Sequence, residues 1–155
     1  MPEVETVAIF RDQLRKHGFY NKKLIIEEQI SSDLRIKKLL QHASKSGSGK
    51  GMPEFIIRHK EIDDLIIVVE CKADIKNHES KNKDKFKDYA VDGVLLYSNY
   101  LSKEYDVISI AISGNKKNLL RKSFFLQLKG GEYKNFEIND LINFNDFINS
   151  YFQTY

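Results

Sequence analysis

The sequence has no tryptophan, one cysteine (Cys71) and two prolines. A single cysteine excludes an internal disulfide and a multi-cysteine zinc site, which fits a protein of a reducing compartment. No apolar run approaches the ~20 residues that span a bilayer. The acidic N-terminal segment MPEVETVAIF also lacks the basic start and the apolar core of a secretory signal. We therefore expect a cytoplasmic protein.

The residues that are present describe an ordinary folded domain. A length of 155 residues, with 41% hydrophobic and 30% charged residues, predicts one globular core. The formal net charge of +3 is too small to identify a polyanionic partner, but it leaves room for local basic patches. No internal repeat or linker divides the chain, so we expect a single domain over residues 1–155.

Hydrophobic periodicity predicts helices alternating with strands. Helical spacing covers four segments: about 5–17, 31–43, 85–101 and 144–152. Strand-like runs lie at 23–30, 54–58, 65–72, 105–113 and 123–130. The second and third runs flank a charged turn and predict a hairpin. The unbroken LIIVV of the third run predicts a central strand that is buried on both faces. The expected fold class is α/β, with a central mixed sheet flanked by helices.

The glycine-rich stretch KSGSGKGMPEF superficially matches a phosphate-binding loop. Such a loop needs G-x-x-x-x-G-K followed by Ser or Thr, with a strand before it and a helix after it. Here Gly51 follows Lys50, Ser44 stands where the first glycine is needed, and the predicted order is helix then strand. The stretch is therefore either a flexible surface connection or a loop whose Lys45 and Lys50 lie against a nucleic-acid backbone.

Two carboxylates and a lysine flank the predicted hairpin. Glu54 heads its first strand, and Glu70 and Lys72 end its second. Because side chains alternate along a strand, Glu70 and Lys72 project to one face and Cys71 to the other. If the strands pair, Glu54 comes close to Glu70. Oxygen ligands for Mg²⁺ beside an ammonium group are what metal-dependent phosphodiester hydrolysis needs, although a Glu–Lys pair at a strand end is often only a solvated ion pair.

The pattern Pro53-Glu54, fifteen intervening residues and Glu70-Cys71-Lys72 resembles the PD-(D/E)xK nuclease superfamily. The segments LLQHASKSGSGKGMPEFII and YAVDGVLLYSNYLSKEYDVISIAISG resemble the N-terminal nuclease domains of type IIG restriction–modification enzymes and the related type I restriction subunits. The resemblance spans roughly residues 4–130. It implies a restriction-endonuclease-like core and a DNA endonuclease that uses Mg²⁺, with Mn²⁺ as a substitute.

The resemblance also assigns roles to residues of the motif. Glu54 and Glu70 would be metal ligands, the Cys71 backbone carbonyl a third ligand, and Lys72 the group that positions or activates water. These families often have a metal-shell glutamate on the first helix. Glu5 is the first candidate for it, and Glu3 the next.

Further positions are singled out by the resemblance, by charge and by spacing. Type I relatives carry a Gln-x-x-x-Tyr motif on the helix after the lysine; here Tyr89 fits, but Lys85 stands where glutamine would be. Lys45, Lys50 and Lys85 are the candidate DNA-phosphate contacts. The histidines lack metal-ligand spacing and are expected on the surface or in turns; they are His17, His42, His59 and His78.

The implied partner is double-stranded DNA. Nothing in the chain resembles a methyltransferase or a target-recognition domain, so both are expected in cis or in trans, with residues 1–155 as the N-terminal part of a longer protein. One site cuts one strand, so double-strand cleavage would require a dimer or two successive events. Two alternatives are a non-cleaving DNA-binding or docking module with this fold, and a repair or junction nuclease of the same superfamily.

Overall fold

The computed structural model describes residues 3–47, 49–136, 138, 140 and 144–154. Within these residues the helices are α1 (Val4–Lys16), α2 (Leu34–Leu40), α3 (Ala90–Leu101) and α4 (Phe144–Thr154), with a short 3-10 helix at Ile75–Asn77. The strands are β1 (Leu24–Glu27), β2 (Phe55–His59), β3 (Ile62–Lys72), β4 (Asp106–Ser113), β5 (Arg121–Gln127) and β6 (Tyr133–Asn135). No helix in this part of the chain is long and apolar enough to cross a membrane.

The six described strands form one mixed sheet in the order of the chain. β3 and β4 pair in parallel, and the other neighbours pair antiparallel. A parallel pair needs a crossover connection, and α3 lies in the connection between β3 and β4. The sheet with its flanking helices confirms the predicted α/β class and is consistent with a restriction-endonuclease-like core.

β3 is buried on both faces, as its unbroken apolar run predicted. Leu65, Ile67 and Val69 belong to a core cluster that includes apolar residues of α1 and α4. Ile66 and Val68 belong to a second cluster, with residues of α2 and α3. Since the two helical layers cover opposite faces, the alternation of β3 side chains decides which layer each residue meets.

α1 follows the predicted helical spacing, with Val7, Phe10 and Leu14 buried against the sheet. Gly18 follows the helix with φ of +76°, a left-handed conformation that glycine adopts without steric cost. The first turn is held in place by Thr6, whose hydroxyl donates to the Gly114 carbonyl at 2.6 Å, just past β4. This contact places the start of α1 at the end of the sheet where β3 also ends.

Several elements differ from the prediction. α3 begins at Ala90 rather than near residue 85, because the buried Asp92 carboxylate accepts hydrogen bonds from the N–H groups of Ser80 (3.1 Å) and Lys85 (2.9 Å) and holds the preceding segment as a loop. α2 is shorter than predicted, and its N-cap is Asp33, not a serine. β6, three residues long, was not predicted.

Candidate active site

Glu54, Glu70 and Lys72 come together at one end of the sheet. Phe55 pairs with Val69 in the hairpin, so one further step brings Glu54 opposite Glu70. Glu70 and Lys72 continue the face of β3 that meets α3, whereas Cys71 is buried in the core on the other face. We call Glu54, Glu70 and Lys72 the carboxylate cluster.

The two carboxylates have unequal surroundings. The Glu70 side chain is only 1% exposed, and burial raises its pKa above the ordinary value, against the opposing effect of Lys45 and Lys72. Glu54 is half-buried. Burial, and then the neighbouring Glu70, raise the pKa of Glu54 to about 7. Two carboxylates in one partly dry site therefore resist joint ionisation unless a cation lies between them.

The oxygens of Glu70 differ in their partners. Oε2 accepts a hydrogen bond from the ammonium group of Lys45, whereas Oε1 is buried and has no hydrogen-bond partner among the described residues. A buried carboxylate oxygen without a donor is costly, since it has lost its hydration. A bound cation would compensate for that loss.

The donor set fits magnesium only if ligands other than side chains contribute. In the described residues, no group of three or more Asp, Glu, His or Cys side chains is arranged to hold an ion. Mg²⁺ commonly binds one or two carboxylates and keeps several waters or substrate phosphate oxygens. Two glutamates and a backbone carbonyl therefore suffice for this ion, but not for a closed all-side-chain site.

The Cys71 carbonyl points to the β2 side of β3. The Lys72 carbonyl accepts from the Gly114 N–H at 2.9 Å and so points to the β4 side. Because successive carbonyls of a strand point in opposite directions, the Cys71 carbonyl points to the β2 side, where Glu54 lies. Pro53, the next residue back along the chain, has no N–H that could occupy this carbonyl. The thiol itself is buried in the core, and burial raises its pKa.

Lys72 is fixed by two contacts beside the carboxylates. Its Nζ donates to the Lys87 carbonyl at 2.7 Å and lies 3.6 Å from Glu3 Oε1. Glu3, the residue directly before α1, thus lies beside Lys72, and it also raises the pKa of Glu54. Glu5, the first candidate from sequence, is exposed on α1. No described contact joins Glu5 to the carboxylate cluster, and its part in a metal shell stays a prediction.

The three lysines assigned to DNA are in different environments. Lys50 and Lys85 are exposed, and their contact with DNA stays a prediction. Lys45 instead turns inward and pairs with Glu70. Lys85 and Tyr89 both precede α3, so the positions compared with Gln-x-x-x-Tyr are not within the helix here.

His78 was expected on the surface or in a turn; it lies in the bend that follows the 3-10 helix, and it is buried. Its ring nitrogens lie 2.7 Å from the hydroxyl oxygens of Ser113 and Ser123. Burial, and then Arg121, lower the pKa of His78 to about 4, so the ring is neutral at pH 7. The histidine ties the segment after β3 to β4 and β5, and no spacing in the sequence indicated this role.

A separate cleft of about 600 Å³ lies at the opposite end of β2, bordered by His59, His17 and Lys23. Its lining includes no member of the carboxylate cluster. The chemistry that the sequence motif predicts is therefore not located in this cleft.

Comparison with known proteins relates the chain to a restriction–modification enzyme. No protein-family model and no solved structure matches the chain. RM.BcgI of Heyndrickxia coagulans, a type II restriction enzyme and methyltransferase, is 36% identical to it over 118 residues. The chain is a distant, partial homologue of a restriction–modification enzyme. The alignment covers 67% of this chain but only 18% of RM.BcgI, so the chain spans a small part of that relative.

Proposed function

We propose that this chain is the DNA endonuclease domain of a restriction–modification system and that it hydrolyses phosphodiester bonds with Mg²⁺ or Mn²⁺. The supporting observation is the convergence of Glu54 and Glu70, with an unpartnered buried oxygen on Glu70, beside Lys72. The homology with RM.BcgI supports DNA as the substrate, because that protein is named for both restriction and methylation.

Each residue of the carboxylate cluster has a part in this proposal. Glu54, Glu70 and the Cys71 carbonyl would hold the ion. When bound, the metal supplies a Lewis acid that neutralises phosphate charge and promotes ionisation of a water. Lys72, held by the Lys87 carbonyl, has further N–H donors with which to orient the water or a phosphate oxygen. The burial of Glu70 strengthens each of these interactions, because the local dielectric is low.

The homology with RM.BcgI also suggests which other domains act with this chain. The chain corresponds to 18% of RM.BcgI, and we propose that methyltransferase and target-recognition domains act with it in cis or in trans, in the cytoplasm. Exposed Lys50 and Lys85 would contact phosphates of double-stranded DNA. Since one site cuts one strand, cleavage of both strands would use a dimer or two events.

Nicking of supercoiled plasmid tests the proposal. The wild-type chain should nick DNA with Mg²⁺ or Mn²⁺ and not in EDTA, and Lys72→Ala should abolish nicking. Lys87→Ala is the matched control, because it removes an exposed lysine side chain and keeps the carbonyl that holds Lys72. Nicking by Lys72→Ala at the wild-type rate would contradict the assignment. If the chain alone is inactive, failure to bind Mg²⁺ in calorimetry would overturn the proposal.

One observation favours a second candidate. The ion pair between Lys45 and Glu70 could replace a metal permanently, as in a non-cleaving DNA-binding module with this fold. Metal titration separates the two, because such a module would bind DNA and no Mg²⁺. A repair or junction nuclease would bind metal too, but it would cleave branched DNA in preference to linear DNA.

A further inference from the structure

Lys45 reaches the carboxylate cluster from a closed loop. The loop is shut at its base, where the Ser44 N–H donates to the Gly49 carbonyl at 3.1 Å and the Gly51 N–H donates to the Leu40 carbonyl at 2.7 Å. From this loop the Lys45 side chain, 22% exposed, extends inward to Glu70. The contact joins residues 25 positions apart in the chain, so it depends on the fold and not on local sequence.

Gly93 of α3 has no side chain, and this leaves room for the contact between Lys45 and Glu70. A Cβ at Gly93 would lie 2.9 Å from the Phe86 carbonyl, 3.2 Å from Glu70 Oε2 and 3.3 Å from Lys45 Cδ. The aliphatic part of Lys45 therefore passes over the bare backbone of the helix. Any larger residue at position 93 would crowd both members of the ion pair.

Lys45 and a metal ion would compete for one carboxylate. When ionised, Glu3, Glu54 and Glu70 carry three negative charges against the two positive charges of Lys45 and Lys72, a net charge of minus one. A divalent cation would bring this net charge to plus one, and withdrawal of Lys45 would bring it to zero. Because like charges at close range in a buried site repel strongly, the ammonium group and the metal exclude each other.

We propose that Lys45 is the exchangeable counter-ion of the candidate metal centre: it holds Glu70 in the metal-free protein, and a divalent cation displaces it. The inference rests on the proposed function. The loop has open space beside it. Gly47 and Gly49 both have φ of +90°, and a Cβ at either position would meet no atom within 4 Å, so their outer sides face open space.

Metal affinity gives the first test. Calorimetric titration with Mg²⁺ and with Mn²⁺ should show that Lys45→Met binds each ion about tenfold more tightly than wild type, since the competing cation is gone. Lys50→Met, which removes an exposed lysine near the same loop, should match wild type. If Lys45 only held Glu70 in position, its loss would instead weaken metal binding, because Glu70 would be held less firmly. Unchanged or weaker binding by Lys45→Met would overturn the counter-ion role.

Glu70→Gln separates this inference from the proposed function. If wild type and Lys45→Met bind metal equally and Glu70→Gln abolishes binding in both, the counter-ion role fails and the metal centre stands. If neither protein binds metal, or if binding does not require Glu70, both proposals fail.

A second measurement needs no variant. Acetylation of wild-type lysines by an N-hydroxysuccinimide ester, followed by mass spectrometry, reports how free each ammonium group is. Without metal, Lys45 should react slowly because it is paired and largely buried; with saturating Mg²⁺ its rate should rise at least several-fold as it leaves Glu70. The rate of Lys50 should stay constant. A Lys45 rate that is indifferent to bound metal would refute displacement.

Discussion

Glu54 and Glu70 lie opposite each other one residue beyond the last paired residues of the β2–β3 hairpin, Phe55 and Val69. The hairpin register thus brings together two carboxylates separated by fifteen residues in sequence. One of them is almost fully buried, and the other has a pKa raised to about 7. This pair and the groups around it determine how the site should respond to substitution, to pH and to metal.

Removal of either carboxylate should weaken metal binding. Glu54→Gln and Glu70→Gln each replace a charged ligand by a neutral amide of similar shape, and we expect Mg²⁺ affinity to fall by at least about tenfold in each. Glu5→Gln is the control, because Glu5 is exposed on α1. Calorimetric titration measures the difference. Wild-type affinity in both site variants, or a loss in the control, would contradict the assigned ligands.

Metal binding should depend on pH through Glu54. Its pKa is raised from 4.5 to about 7 by burial and by Glu70. The folded protein therefore holds a proton there that the unfolded chain has released between these values, and this group lowers stability as pH rises through that window. Because a metal must displace the proton, Mg²⁺ affinity should fall as pH drops below about 7. Equal affinities at pH 8 and pH 6 would show that Glu54 is not a ligand.

His78 should make the protein less stable in mild acid. Burial and Arg121 lower its pKa from 6.5 to about 4, so the folded state keeps the ring neutral while the unfolded chain takes up a proton. Its contribution to stability is complete above pH 6.5 and is lost as pH falls towards 4. The loss by pH 4.5 should be about 2 kcal/mol.

Urea unfolding at pH 7 and at pH 4.5 measures the effect of His78. The comparison is with His78→Gln, which keeps a donor and an acceptor for Ser113 and Ser123 but does not titrate. The variant should lose less stability between the two pH values than wild type does. Equal losses would mean that other groups account for the acid sensitivity.

Gly93→Ala should destabilise the fold and disturb the Lys45–Glu70 pair. The new methyl group would lie 2.9 Å from the Phe86 carbonyl and 3.2 Å from Glu70 Oε2, and overpacking of this kind costs about 1–3 kcal/mol. Gly131→Ala is the control, since its nearest neighbour would be at 3.3 Å and it is far from the site in sequence. Thermal unfolding of the two variants should show the larger loss for position 93, and equal losses would argue against crowding there.

Much of the fold could be predicted from the sequence because local patterns determine it. The unbroken run of β3 and the charged turn before it predicted a central strand in a hairpin, and the structure confirms both. Strand alternation also placed Glu70 and Lys72 on the face opposite Cys71. These statements depend only on the two-residue period of a strand, which tertiary contacts do not change.

Several features could not be predicted from the sequence because contacts between distant residues determine them. The start of α3 depends on the Asp92 carboxylate, which holds the segment before the helix as a loop. The burial of His78 depends on two serines from other strands. Neither arrangement leaves a periodic or spaced pattern in the sequence, so neither could be inferred before the chain was folded.

The sequence by itself determined which groups the site contains: two glutamates and a lysine at the ends of a buried hairpin, in a pattern that resembles the PD-(D/E)xK motif. Only the tertiary structure decided which further charges surround them. It placed Glu3 within 3.6 Å of Lys72 through the docking of α1, and it turned Lys45 from the protein surface towards Glu70. The physical reason is that a strand's period orients its own side chains, whereas the direction of a loop or helix terminus is decided by what it packs against.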